Sequence, residues 1–355
     1  MTRNWLATLV ALAALMGATS SSADERGAPF AIETEPFATL PDGVRYPEGI
    51  ATNPATGAVY VGTFDFGPNS NKLVRFGRSG KVEAVRDFGP TPLLGLEFAQ
   101  DKVYILNFGM SQLQRIAANF NAATPVEVVA QIPAIGPPAP RTVGNPDGTD
   151  DTIVFGNGFP APNAMVFDAA GNLYISDSFQ GAIFRVASAR TCAVPCPVTL
   201  VKHDPLLATA GFPPFGANGL AMGADGHTLF IANTGDNRVL QMDLAAAGSP
   251  LTVFAESVHG ADGLLFTNGR LWVAANQGDH VLALNERGRP VYRAGSFEGF
   301  SPDGAPRGLL FPASLAVIDG WMYVSNLSLP LTPKVGDEPE EDTRRWTVER
   351  FRLPN

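Results

Sequence analysis

Residues Phe215 to Asn233 read FGANGLAMGADGHTLFIAN, and this stretch holds the unit on which the chain is built. Asn218 precedes a short apolar run, Gly219 to Met222, which ends in the turn Ala224-Asp225-Gly226. A second run follows, Leu229-Phe230-Ile231-Ala232, with its aromatic in second place. Two apolar runs joined by Asp-Gly predict a β-hairpin. The second run recurs as Val59-Tyr60-Val61-Gly62, Val103-Tyr104-Ile105-Leu106 and Leu173-Tyr174-Ile175-Ser176. It returns as Leu271-Trp272-Val273-Ala274 and Met322-Tyr323-Val324-Ser325. Six hairpins at spacings of roughly forty to seventy residues predict an all-β chain folded as a six-bladed β-propeller. Consecutive apolar positions in each second run fit a sheet covered on both faces by its neighbours.

The place held by Asn218 is occupied in the six repeats by Glu48, Leu94, Asn163, Asn218, Asp262 and Ser314. In a propeller these positions begin the innermost strands and converge on the central channel. Glu48, Asn163, Asn218 and Asp262 then offer two carboxylates and two amide carbonyls at one point, a donor set suited to calcium or another divalent cation. Zinc fits less well, because no His- or Cys-rich cluster accompanies them. Asn-Gly and Asp-Gly also form turns. That all four share one repeat position favours the metal reading.

The 355 residues divide into six blades of about fifty, so residues 24–355 are expected to form one propeller domain. Residues 1–23 read as a signal peptide: Arg3, the apolar run Trp5 to Met16, then Ser21-Ser22-Ala23 before Asp24. That run is shorter than a membrane span. The expectation is a periplasmic or secreted monomer with no membrane anchor. A net charge of −9 argues against nucleic acid as a partner. Cys192 and Cys196 could close a small loop in an oxidising compartment.

Ala31 to Thr39 has strand character but precedes the first repeat, and the last repeat lacks an outer strand. The N-terminal segment is therefore expected to supply the outer strand of blade six, which removes both free edges. Blade one is expected over Tyr46 to Phe88 and blade two over Leu93 to Ile132. The insertions Pro133 to Pro162, Asp204 to Ala217 and Glu298 to Phe311 each lead into an inner strand, so all three belong to one face, where a pocket would be built. The acidic run Asp337 to Asp342 is expected to be a solvated hairpin tip.

The pieces Pro47-Glu48-Gly49, Pro162-Asn163-Ala164, Ala217-Asn218-Gly219-Leu220 and Ala261-Asp262-Gly263-Leu264 resemble the senescence marker protein/gluconolactonase (regucalcin-like) family. That family is similar in turn to diisopropylfluorophosphatase and the paraoxonases. The resemblance implies a six-bladed propeller, a central calcium ion, and hydrolysis of lactones or related esters. In one place the chain departs from the family. Where its sugar-lactonases carry Arg two residues before the first Asn, this chain has Ala161. The entry loops bring Phe159, Phe212, Phe215, Phe300 and Phe311 instead. With Ser314 these are the expected substrate-pocket residues, and they suggest a small-molecule lactone or ester more apolar than a sugar lactone.

Asp262 is expected to position or deprotonate the attacking water, with His259 as a second candidate. No Gly-x-Ser-x-Gly elbow occurs, so a serine hydrolase route has no support. Phosphotriester hydrolysis at the same site, or a non-catalytic propeller binding a partner on its loop face, are the rival readings.

Overall fold

The computed structural model describes residues 27–156 and 158–354; residues 1–23, expected to be a signal peptide, lie outside the described residues. Six sheets form a ring, each with antiparallel strands in chain order from the axis outward, save for N-terminal strands added at the outer edges of blades five and six. Blade one comprises Pro47–Asn53, Ala58–Thr63, Asn71–Phe76 and Val82–Gly89, and blade two Leu93–Ala99, Lys102–Asn107, Gln112–Ala117 and Glu127–Gln131. Blade three comprises Pro162–Phe167, Leu173–Asp177, Ala182–Val186 and Val198–His203. Blade four follows with Ala217–Met222, Thr228–Asn233, Arg238–Asp243 and Leu251–Glu256. Blade five has Ala261–Thr267, Arg270–Ala275, His280–Leu284 and Pro290–Ala294, and blade six Pro312–Ile318, Trp321–Asn326 and Thr347–Arg352. Inner strands touch in the order of the blades, and that of blade six packs back on that of blade one.

The repeated aromatic is the contact between blades. Tyr60 stacks on Phe98 of blade two, Tyr104 meets Phe167 of blade three, Phe230 stacks on Phe266 of blade five, and Trp272 lies on Phe351 of blade six. Each such pair contributes about 0.5–1.5 kcal/mol beyond its buried area. Second strands are buried on both faces, whereas outer strands such as Val82–Gly89 are half exposed. The fourth strands therefore carry charged residues and the second strands none on blade one, where Ala58–Thr63 is wholly buried.

Closure occurs as expected, with one correction of extent. Glu35–Thr39 pairs antiparallel with Thr347–Arg352 as the outer strand of blade six. Glu35 forms an ion pair with Arg350, and Phe37 packs edge-on against both Tyr323 and Phe76. Phe30–Ile32 does not join that strand. It adds in parallel to Pro290–Ala294, as a fifth strand on blade five. The N-terminal segment thus covers the edges of two neighbouring blades, which blunts both against strand addition.

Every inner strand shifts register after its first residue: Pro47, Leu93, Pro162, Ala217, Ala261 and Pro312 are paired, and pairing resumes three residues later. The two skipped residues form a bulge, a device that re-aims side chains. The first skipped residue is Glu48, Leu94, Asn163, Asn218, Asp262 or Ala313, so the sixth equivalent is Ala313 and not Ser314. Ala313 stands ten residues before Tyr323, as Asp262 stands ten before Trp272 and Leu94 ten before Tyr104, so a count back to Ser314 stops one residue short.

The second skipped residue must be small. A Cβ at Gly49 would stand 2.1 Å from the Leu94 carbonyl oxygen, and one at Gly219 2.1 Å from that of Asp262. Blades three and six carry Ala164 and Ser314 there instead. In both, a serine of the second strand bonds the next blade's carbonyl: Ser176 Oγ donates to Asn218 O at 2.6 Å, and Ser325 Oγ to Glu48 O at 2.6 Å.

The segment 133–161 contains the exposed hairpin Arg141–Gly144 with Asp150–Ile153, and 296–311 contains Phe297–Phe300 with Pro306–Gly308. The acidic run forms the short 3-10 turn Pro339–Asp342, with no buried residue. Glu341 accepts hydrogen bonds from the backbone of Lys334 and Gly336 and so braces the loop. Cys192 and Cys196 are disulfide-bonded. No helix among the described residues is long and apolar enough to cross a membrane.

Candidate metal centre

The bulges bring Glu48, Asn163, Asn218 and Asp262 to one cavity of about 40 Å3, and all four are buried. Phe64, Leu94, Pro213, Phe215, Thr234, Asn276, Phe311 and the leucines at 327, 329 and 331 complete its wall.

The amides cannot rotate freely. Asn163 Nδ2 donates to Ser178 Oγ at 2.9 Å, and Ser178 Oγ donates to the Ala217 carbonyl of the next blade at 2.7 Å. Blade four repeats the relay: Asn218 Nδ2 donates to Thr234 Oγ1 at 2.9 Å, and Thr234 Oγ1 to Ala261 O at 2.7 Å. In blade five Asn276 Nδ2 donates to Asp262 Oδ2 at 3.0 Å. With the amide nitrogens committed, oxygen is what each asparagine has left to offer.

Glu48 Oε2, Asn163 Oδ1 and Asp262 Oδ1 are buried and have no hydrogen-bond partner among the described residues. Buried polar atoms of that kind are costly unless something satisfies them. Burial, reinforced by the charge of Asp262, holds the Glu48 carboxyl well above the usual carboxylate range. Burial also pushes Asp262 up to about 7, against the opposing hydrogen bonds of Asn276 and Asn218. Two carboxylates and two oriented amide carbonyls in a buried cavity are the donor set of a hard cation. All four of these donors offer oxygen, the ligand type that hard ions favour over softer ones.

Ser178, Thr234 and Asn276 escaped the sequence reading. They follow directly on the second strands of blades three, four and five, where blades one, two and six place Phe64, Phe108 and Leu327. Comparison of that repeat position would have found them. It also divides the ring: blades three to five present hydrogen-bonding groups, and blades six, one and two an apolar arc broken by Glu48.

The expected pocket residues separate. Phe215 and Phe311 line the cavity. Phe311 adopts a left-handed backbone (φ 48), rare for a bulky residue, with its N–H held by Asp279 Oδ1 at 2.9 Å. Phe159 lies outside the wall, packed on Phe108 and Phe179. Phe212 is exposed, and its neighbour Pro213 reaches the cavity in its place. Phe300 packs on Phe297 in the hairpin and is not part of the cavity wall. Ser314 lines a separate cavity of about 190 Å3 further along the channel, because the bulge turns Ala313 and Ser314 in different directions. His259 is exposed on the loop before Ala261–Thr267 and is not part of the wall.

Ala161 is fully buried under the aromatic residues, its N–H donating to both carboxylate oxygens of Asp177 at 3.0 and 3.1 Å. Asp177 also accepts from the backbone and side chain of Gln180, and Gln180 Oε1 accepts from Ile135 and Gly136 N–H. This buried network ties the long insertion to the strand that carries Asn163.

No protein-family model matches the chain, and no curated protein matches it in sequence. Among solved structures it is similar to regucalcin, a calcium-binding protein from Agrobacterium tumefaciens, at 16% identity and a TM-score of 0.60, over 92% of this chain and 98% of that one. A luciferin-regenerating enzyme superposes with a TM-score of 0.59 at 14% identity, over 87% and 92% of the two chains. A gluconolactonase from Xanthomonas campestris gives 0.54 at 14%, over 89% and 88%. At these identities the likeness is one of fold. In fold, then, the chain is a regucalcin- and gluconolactonase-like six-bladed propeller.

Proposed function

We propose that the protein is a divalent-cation-dependent hydrolase of lactones or related esters, with calcium as the expected ion. The observation that carries this reading is the set of buried, unpartnered oxygens on Glu48, Asn163 and Asp262, joined by Asn218 in the same cavity. Bound there, a calcium ion would supply Lewis acidity toward a carbonyl oxygen. Glu48, Asn163, Asn218 and Asp262 would hold it, the two carboxylates offsetting its charge.

The remaining work falls to the chain. Asn276 fixes Asp262 by its Oδ2, leaving Oδ1 to orient a water molecule and accept its proton. The water oxygen bonds to the carbonyl carbon, the carbon–oxygen bond to the alkoxide breaks, and the proton passes on to the departing oxygen. Ring opening of a lactone yields a hydroxy acid. A carboxylate held in place beside the reacting carbon suits such a base. The apolar arc of Phe64, Phe215, Phe311 and the leucines excludes bulk water around the reacting group.

Export belongs to the same proposal. The Cys192–Cys196 bond supports it, since such bonds persist in oxidising compartments. Purified protein, chelated and then reloaded with calcium, should hydrolyse members of a lactone and ester panel only when loaded. Calcium binding without turnover of any member would favour a binding module instead.

A further inference from the structure

Six phenylalanine rings close a circuit beside the cavity. Phe64 meets Phe66 at 4.7 Å between ring centroids, Phe66 meets Phe108 at 5.8 Å, and Phe108 meets Phe159 at 6.2 Å. Phe159 meets Phe179 at 5.1 Å, Phe179 meets Phe215 at 5.4 Å, and Phe215 returns to Phe64 at 6.3 Å. The circuit draws on blades one, two and three and on the loops entering blades three and four. Two members, Phe64 and Phe215, belong to the cavity wall. Two others stand in solvent: Phe66 is 65% exposed and Phe159 51% exposed. The rings therefore form one apolar surface running from the buried oxygens to the outside.

That surface has no evident structural task at its outer end. Phe64, Phe108 and Phe179 are buried and support the blades, but exposing most of two phenylalanines gains nothing for stability. The cavity itself, about 40 Å3, accommodates a reacting group and a few waters. It is too small for a bulky substituent as well. Whatever extends from a bound carbonyl must leave the cavity, and the apolar exit runs along these rings.

We propose that the phenylalanine circuit is the binding subsite for the apolar substituent of the substrate, an aryl group or a medium-length acyl chain that passes Phe64 and Phe215 and rests on Phe66 and Phe159. This rests on the ester-hydrolase reading for its carbonyl end, while its apolar end can be measured without turnover. Contact with several ring faces and edges rewards length and flatness through buried apolar area.

The test uses the full, calcium-loaded protein and the variants Phe66→Ala, Phe159→Ala and their combination. Phe30→Ala serves as control, because Phe30 is exposed on the edge of blade five, remote from the site. Two readouts are compared: the ratio of kcat/KM for 4-nitrophenyl octanoate over 4-nitrophenyl acetate, and calorimetric binding of octanamide. The double variant should lower the ratio about tenfold and weaken octanamide about tenfold, with Phe30→Ala unchanged in both and Phe159→Leu restoring most of the loss. If neither ester is hydrolysed but octanamide binding still falls in the double variant, the subsite stands and the hydrolase reading fails. If esters are hydrolysed with an unchanged ratio and octanamide binding is unaffected, the subsite is overturned and the hydrolase reading stands. Loss of adsorption to phosphatidylcholine vesicles with unchanged octanamide binding would also overturn it, marking the rings as a lipid-docking surface.

Discussion

Asn276 Nδ2 stands 3.0 Å from Asp262 Oδ2, and that hydrogen bond leaves Asp262 Oδ1 as the unpartnered oxygen in the cavity. The two positions are those of Asn163 with Ser178 and Asn218 with Thr234, where the bulge amide is instead the donor. In blades three, four and five a group just beyond the second strand orients a group in the bulge of the first. Partners of this kind commonly tune a metal site by ten- to a hundredfold. Asn276→Ala should therefore weaken calcium binding by about that factor, read by calorimetry. Unaltered affinity in a folded Asn276→Ala protein would show that Asp262 orients itself.

The charged pair Glu48 and Asp262 sets a pH dependence in cation-free protein. Both carboxyls are raised in the folded state, chiefly by burial, and Asp262 reaches about 7. An acid whose folded pKa exceeds its unfolded value binds its proton more tightly when folded. Its contribution is fully present below the unfolded pKa, near 4, and is lost as pH rises through the folded one. In chelator, stability should thus fall between pH 4 and 7. Asp262→Asn should flatten that fall, and saturating calcium should reverse it, since a ligand at 100 times its Kd adds about 2.7 kcal/mol. Denaturant melts across this range check the sign; a rise in chelated wild type would contradict it.

Closure by the N-terminal segment is open to a single substitution. Phe37 is buried against Phe76 of blade one and Tyr323 of blade six, so it ties the last strand to the first blade. Phe37→Ala should cost about 3 kcal/mol, the lower part of the range for large core aromatics. The exposed Phe30→Ala should cost far less. Thermal melts of both variants give the comparison, and equal losses would argue against Phe37 as the tie.

The repeats were legible because the interblade contact imposes them: an aromatic in each second strand has to reach the next blade, as Tyr60 reaches Phe98 and Trp272 reaches Phe351. Glu48, Asn163, Asn218 and Asp262 were legible for a related reason, since each precedes a residue that must be small. Ser314 misled because the bulge, which fixes the true register, leaves no mark in hydrophobic periodicity. The phenylalanines showed the opposite failure. Entry loops identify a face but not a direction, so Phe159, Phe212 and Phe300 looked alike in sequence and lie in three different settings. Phe64, Phe66, Phe108 and Phe179 went unnoticed, as they sit just after second strands, where no insertion draws the eye.

Substrate choice follows from how the polar groups are used. The hydroxyls of Ser178 and Thr234 each donate to a backbone carbonyl, and the amide nitrogen of Asn276 serves Asp262. Little is left to meet the hydroxyls of a sugar lactone. Ala161 supplies no guanidinium, and being buried it could not present a side chain to substrate. Each unpaired hydroxyl buried in such a cavity would cost about 1–3 kcal/mol. Phe64, Phe215, Phe311 and the leucines at 327, 329 and 331 offer apolar area instead, worth about 25 cal/mol per Å2 covered. Calcium-loaded protein should therefore favour alkyl or aryl lactones and esters over gluconolactone in kcat/KM by at least about tenfold, which needs only ~1.4 kcal/mol. Asp262→Asn should abolish both activities, whereas Phe215→Ala should reduce the apolar substrates more. A preference for gluconolactone would mean that its hydroxyls find partners outside the cavity, and the apolar reading of the wall would then be wrong while the cation site could remain.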